Sequence, residues 1–152
     1  MALDACDDTY PEAQFTLSSG DGSALEAGDL IPYFWGGQGS AFSIINILLA
    51  GTGNAVTINL RLLEGHVGPD DQAPLLGQLA LSSNDAASVL ECAMGDGLNQ
   101  GWAATLQLQI DDSIEPDELA GRPATLVASA EYLVEGEPTS VSQVITGTLE
   151  LQ

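Results

Sequence analysis

Apolar and polar residues alternate with a period of two along several short stretches of the chain. Residues 12–18, 56–63 and 102–110 show this alternation most clearly. Successive side chains of a β-strand point to opposite faces, so a period of two predicts strands that are buried on one side. Clusters of Gly, Asn, Asp and Ser separate these stretches, as turns require. The pattern predicts about eight short strands and no long helix.

The strongest apolar signal lies in residues 29–50. Two apolar runs, 30–35 and 42–50, flank a glycine-rich segment. Glycine reaches backbone angles that other residues avoid, so the stretch predicts a β-hairpin or a corner where the chain changes sheets. Pro32 has no N–H for a strand ladder, so the first run is expected at a sheet edge or only after the proline.

The second of these runs, residues 42–50, is apolar on both faces. A strand of a sheet with one solvated face needs only one apolar side. We therefore expect its second face to be covered by a loop, by the N-terminal leader or by a second subunit. If a second subunit covers this face, the protein is a homodimer.

The remaining segments complete an all-β chain. Residues 86–92 are compatible with either a short helix or a strand, because Asn84 or Asp85 would cap a helix. Residues 1–11 have no periodicity and are expected to form a leader, followed by one domain over residues 12–152. Short strands at regular spacing predict an antiparallel β-sandwich of the immunoglobulin type, with a β-barrel as the alternative.

The charge balance excludes several classes of function. The 152 residues include 22 acidic residues but only 2 arginines and no lysine, for a net charge of -20. Such a chain has almost nothing to neutralise phosphates, which argues against nucleic acid and against an anionic membrane surface. No apolar run is long enough for a membrane span. The acidic residues are spread over many loops and indicate a solvated surface, suited to a saline or calcium-containing medium.

Two cysteines, Cys6 and Cys92, permit one disulfide. A disulfide would close a loop of some eighty residues and attach the leader to the body, and it is the interpretation we favour. Two free thiols in a cytoplasmic protein and a lipid-anchored Cys6 are the alternatives. No signal peptide is visible after Met1. A disulfide therefore predicts a secreted, periplasmic or cell-surface protein whose Met1 stands just after a removed signal.

The sequence Gly-Gly-Gln-Gly-Ser-Ala-Phe at residues 36–42 follows one apolar run and precedes another. It resembles a Gly-Pro-Gln-Gly-Gly-aromatic-His element of immunoglobulin-like domains in secreted or lipoprotein-type bacterial proteins. Residues 29–31 are similar to the lead-in of that element, and residues 119–126 to a late strand entry. The resemblance implies a fold and a location but no reaction. Gly37, Ser40 and Phe42 depart from the pattern, so any role of the family histidine is lost here.

Few residues offer chemistry for catalysis. His66 is the only histidine, it lies in a loop, and no serine sits in a recognisable nucleophile turn. Among so many carboxylates a close pair is expected by chance, so a hydrolytic site based on two acids has no specific support. Calcium prefers clustered oxygen ligands. The cluster Asp111, Asp112 and Glu115, directly after a strand, is the strongest candidate for such a site; no other cofactor is expected.

The aromatics beside the flexible glycines are the candidate partner surface. If exposed, Tyr33, Phe34, Trp35 and Gln38 would form a patch for a protein or glycan partner; if buried, the aromatics are core. These observations predict a non-enzymatic, secreted or cell-surface immunoglobulin-like interaction module. A calcium-dependent structural module and a small carbohydrate-binding or hydrolytic protein that uses acidic loop residues are the alternatives.

Overall fold

The computed structural model describes residues 14–19, 25–26, 28, 30–35, 41–50, 56–66, 73–94, 100–110 and 116–151, and the predicted leader lies outside them. The described residues form nine strands and two short helices. In chain order these are β1 (Gln14–Ser19), β2 (Leu30–Trp35), β3 (Ala41–Ala50), β4 (Thr57–Glu64), β5 (Leu75–Leu81), α1 (Ser83–Val89), β6 (Glu91–Met94), β7 (Gln100–Gln109), α2 (Pro116–Leu119), β8 (Pro123–Val134) and β9 (Glu137–Leu151).

The strands form a sandwich of two layers. In one layer β3 pairs with β7, which pairs with β6, and the other edge of β3 carries β1 and the end of β2. The second layer has the order β5-β4-β8-β9-β2. The order β2-β3-β7-β6 corresponds to the A-B-E-D sheet of immunoglobulin domains. The order β5-β4-β8-β9 corresponds to their C-F-G sheet with an added C′ strand. The predicted sandwich is confirmed, and the barrel alternative is wrong because the strand order does not close on itself.

Strand β2 passes from one layer to the other. Its last residues, Phe34 and Trp35, pair antiparallel with β3, whereas Leu30–Tyr33 run parallel to β9. The buried hydroxyl of Ser43 donates a 2.7 Å hydrogen bond to the carbonyl of Pro32 where β2 leaves β3. The predicted corner between sheets therefore lies inside β2, and the strand starts before the proline. The pairing of β2 with β9 is parallel, whereas the sequence predicted an antiparallel sandwich.

The core lies between the two layers and is built from alternate residues of each strand. Ile45, Ile47 and Leu49 of β3 point inward, opposite inward residues of the second layer. Burial of such side chains is the main favourable term in folding. The alternating apolar residues of 56–63 and 102–110 point inward, as the period of two predicts: Val56, Ile58, Leu60, Leu106 and Leu108 are buried, and Trp102 packs partly buried against them.

The two layers approach each other again where β5 meets the end of β7. Gly77 forms an isolated bridge with Ile110. A Cβ at this glycine would overlap the carbonyl oxygen of Gln109. Only glycine allows the backbones to come this close, so Gly77 fixes the distance between the layers on this side.

The ambiguous segment after β5 contains both of the predicted elements. Helix α1 occupies Ser83–Val89 and is followed at once by β6. Ser82, rather than Asn84 or Asp85, is the N-cap, and its hydroxyl accepts a 3.3 Å hydrogen bond from the backbone N–H of Asp85. Ala86 and Leu90 are buried, so this short helix covers the side of the core between the two layers.

Candidate functional site

The hairpin formed by β8 and β9 extends beyond its own sheet. Pairing between β4 and β8 ends at Thr57 and Glu131, but β8 and β9 remain paired as far as Val134 and Glu137. Residues 132–139 are therefore a two-stranded ribbon, which we call the arm. Two-stranded hairpins are marginally stable on their own, so the arm depends on the sheet at its base.

A two-residue turn forms the tip of the arm. Glu135 and Gly136 both have positive φ, 52° and 84°. Two consecutive positive φ values are the mark of a type I′ turn, whose twist matches that of the flanking strands. The tip is therefore a regular hairpin turn that holds the two strands of the arm in register.

The arm exposes apolar side chains among carboxylates. Leu133 is 67% exposed and Val134 is 47% exposed, and Pro138 lies directly opposite Leu133. Glu135 and Glu137 flank this apolar tip, and Glu131 lies at its base. Leu133 and Pro138 share one face of the ribbon and Val134 lies on the other, so both faces of the tip offer exposed apolar groups, which are typical of surfaces that bind a partner.

Residues 140–144 of β9, which we call the β9 edge, have backbone groups on their outer side that no other described strand pairs with. The N–H of Leu149 donates to Arg122, and the carbonyl of Leu149 accepts from Gly121, so Leu149 directs both groups towards β8. Backbone groups of an antiparallel strand alternate in direction. Ser140, Ser142 and Val144 therefore point their N–H and C=O groups away from β8.

The described backbone hydrogen bonds to the outer side of β9 begin beyond this edge, although β1 also lies close to β9. Gly28 donates a 2.7 Å hydrogen bond to the carbonyl of Thr146, and β2 pairs with β9 from Thr148 onward. No described strand pairs with residues 140–144 on this side. Natural proteins usually protect such edges with charges, prolines or bulges. Residues 139–149 contain neither a charge nor a proline, so the β9 edge lacks this protection.

The predicted aromatic patch does not form a single surface. Tyr33 is 0% exposed and belongs to the core, so it cannot contact a partner; burial, and then the nearby Asp117 carboxylate, raise the pKa of its phenol. Phe34 is half-buried and stacks on Phe42 with ring centroids 5.7 Å apart. Trp35 is 53% exposed, and Gln38 lies outside the described residues. A partner role stays a prediction for Phe34, Trp35 and Gln38.

The second apolar face of β3 is only half-buried in the described structure. Phe42, Ile44 and Leu48 point away from the core and retain intermediate exposure. They are less exposed than Leu133 and Val134 of the arm. The homodimer expected from this face stays a prediction, and the arm is the more exposed apolar surface.

The other predicted site residues lie largely outside the described part of the chain. Asp111, Asp112 and Glu115 are not among the described residues, so the calcium site stays a prediction. Elsewhere, within the described ranges, no group of three or more His, Cys, Asp or Glu could hold a metal ion. Cys6 is also outside, and Cys92 lies in β6 opposite Trp102. The disulfide likewise stays a prediction.

Two surface clefts and the single histidine are the remaining candidate sites for catalysis. One cleft, of about 550 Å³, contains Glu91, and the other, of about 330 Å³, contains Glu131. Among the described residues that line them, neither cleft brings two carboxylates together, as a glycoside hydrolase requires. His66 is exposed, and its Nε2 lies 3.0 Å from the carbonyl oxygen of Gly147. Across the described ranges, no helix is long and apolar enough to cross a membrane.

The pattern of the sequence did not indicate the arm. β8 and β9 are the closing strands of the all-β chain, joined by a turn. One signal was length, once the three strands are aligned: β8 has 12 residues and β9 has 15, whereas β4, which pairs with β8, has 8. Strands that outrun their neighbour must project from the sheet. The apolar residues Leu133 and Val134 beside the turn were the second signal.

Comparison with known proteins gives similarities of fold only. No family model matches the chain, and no curated protein matches it. Among solved structures, the CooA pilin subunit from enterotoxigenic Escherichia coli is 16% identical, with a TM-score of 0.40 over 91% of this chain and 98% of that chain. A mutant of CfaE, the CFA/I adhesin of enterotoxigenic E. coli, is 9% identical, with a TM-score of 0.43 over 91% of this chain. The chain spans 49% of that adhesin. At these scores the similarities support no conclusion about function.

Proposed function

We propose that this protein is a non-enzymatic module of the cell exterior or periplasm that binds a protein partner through the arm. The observation that carries the proposal is the exposure of Leu133 and Val134 at the end of a ribbon that leaves the sandwich. Burying these two side chains in a partner would remove apolar surface from water, which favours association. A location outside the cytoplasm agrees with the expected disulfide and with the acidic surface.

The geometry of the arm suits recognition better than catalysis. A regular hairpin turn presents the apolar tip to solvent, while Tyr132 at the base of the arm packs against the core. Central apolar residues surrounded by polar ones are the usual composition of a protein interface. The carboxylates of Glu131, Glu135 and Glu137 would form the polar border of this interface.

Site-specific photocrosslinking in cells that make the protein tests the proposal. Benzoylphenylalanine at Leu133 should give a discrete protein adduct, because this side chain would be buried against the partner. The same group at Ala87, an exposed residue of α1, is the matched control and should give none. Val134→Asp in the Leu133 crosslinking variant should abolish the adduct without changing the melting temperature. Equal adducts at both positions, or none at Leu133, would contradict the proposal.

A further inference from the structure

We infer that the partner supplies an extended, basic segment that pairs with the β9 edge as an additional strand. This inference rests on the proposed function and defines the chemistry of the partner. Its basis is the juxtaposition of a strand edge that no other described strand pairs with, Ser140–Ser142–Val144, with the carboxylates at the base and tip of the arm. The backbone of the β9 edge determines how the partner segment would pair, and the nearby carboxylates determine that this segment would be basic.

The β9 edge offers a complete set of backbone hydrogen-bonding groups. Ser140, Ser142 and Val144 each direct one N–H and one C=O outward, at a repeat of about 7 Å along the strand. Three backbone hydrogen bonds fix this direction: the two bonds of Leu149 to residues 121 and 122, and the bond from Gly28 to Thr146. The turn indicates the same direction. Val134 and Glu137 flank a two-residue turn and form a hydrogen-bonded pair, so Glu137, like Leu149, directs its backbone groups towards β8. An added strand of about seven residues would be long enough to bond to the outward N–H and C=O groups of all three residues.

The side chains at the edge leave room for an added strand. Ser140 and Ser142 are small and exposed, and Val144 is half-buried. None of them carries a charge or a proline that would prevent pairing. Specific strand addition of this kind takes its affinity from main-chain hydrogen bonds and its selectivity from alternate side chains. The selectivity for one partner over another must therefore come from the side chains near the edge.

Carboxylates lie beside the end of the edge that is next to the arm. Glu131 is the direct cross-strand partner of Ser140, so an added strand would lie about 10 Å from it, within the combined reach of two extended side chains. Glu135 and Glu137 lie at the turn beyond. The chain has no lysine, and Arg122 is paired with Glu64 at 2.8 Å at the opposite end of β8. Charge complementarity therefore favours a segment with lysine or arginine.

The same charges argue against a second copy of this chain as the occupant. Antiparallel pairing of two β9 edges would bring two chains of net charge -20 together. Repulsion between two strongly acidic chains disfavours this pairing. The occupant we infer is a basic strand of another protein, and self-association is an outcome that the experiment separates.

The test uses the full chain and a synthetic seven-residue peptide that alternates lysine and valine, with both ends blocked. Binding is followed by NMR amide shifts and by calorimetry. We expect shifts centred on Ser140, Ser142 and Val144, an affinity that falls with added salt, and no binding of the matched peptide with glutamate in place of lysine. Ser142→Pro removes one outward N–H and should weaken binding about tenfold or more. Ser142→Thr retains the N–H and should bind like the unmodified chain.

Several results would overturn the inference. Equal binding to Ser142→Pro, equal binding of the glutamate peptide, or shifts confined to another surface would each do so, provided that both variants melt like the parent. A dimer of the unmodified chain in sedimentation that dissociates in Ser142→Pro would assign the edge to a second copy instead. The Leu133 crosslink in cells separates the two proposals: an adduct that persists in Ser142→Pro would retain the arm as an interface and reject strand addition.

Discussion

Replacing Leu60 by alanine should lower the free energy of unfolding by about 2–5 kcal/mol, the range typical of a buried leucine. Leu60 is 0% exposed and lies at the centre of β4, between β5 and β8. Truncation would leave a cavity where the two layers meet, because the neighbouring strands hold the backbone in place. Urea denaturation, with the slope of the transition checked for constancy, measures the effect.

Leu133→Ala is the matched control for this prediction. The same substitution at a side chain that is 67% exposed should change the free energy of unfolding by no more than about 0.5 kcal/mol. The contrast separates a leucine that holds the sandwich together from one that is available to a partner. Equal losses at the two positions would mean that the arm is packed against the body and is not an exposed ribbon.

Reduction of a bond between Cys6 and Cys92 should cost about 4 kcal/mol of stability, because it would release a loop of some eighty residues in the unfolded chain. The disulfide is a proposal made from the two cysteines, the all-β fold and the acidic composition. Mass spectrometry of the intact protein, with and without reductant before alkylation, detects the bond directly. Cys92→Ser should reproduce the loss on reduction, and reductant should have no further effect on this variant.

Two free thiols in the protein isolated from its own cells would contradict this prediction. They would also remove one of the supports for a location outside the cytoplasm. A lipid attached to Cys6 would give a different mass and an unpaired Cys92, so the same measurement separates all three states of the cysteines. The arm and the β9 edge do not depend on the result, because they lie in other strands.

The period of two was sufficient to predict the layered fold. It placed Ile58, Leu60 and Leu108 in the core, because burial on one face of a strand leaves a direct trace in the sequence. The glycine-rich corner near Trp35 also indicated a change of sheet. What the pattern could not give was the parallel pairing of β2 with β9, since a local pattern does not specify which distant strand lies alongside.

The candidate site was harder to predict for the same reason. Tyr33 was placed in a partner patch with Phe34 and Trp35, but alternation within β2 turns it into the core. The arm exists because β8 and β9 outrun β4, and that difference becomes visible only when the three strands are aligned. Whether a strand edge is free depends on every neighbour at once. Sequence patterns describe the faces of strands well but carry little information about their edges.

Amide hydrogen exchange of the isolated protein, followed residue by residue by NMR, tests most directly whether the β9 edge is free. The structure predicts an alternation: the amides of Ser140, Ser142 and Val144 should exchange rapidly, whereas those of Val141 and Gln143, which face β8, should be protected. Slow exchange at all five positions would show that the edge is already paired. It would contradict the claim that this edge is open to a partner.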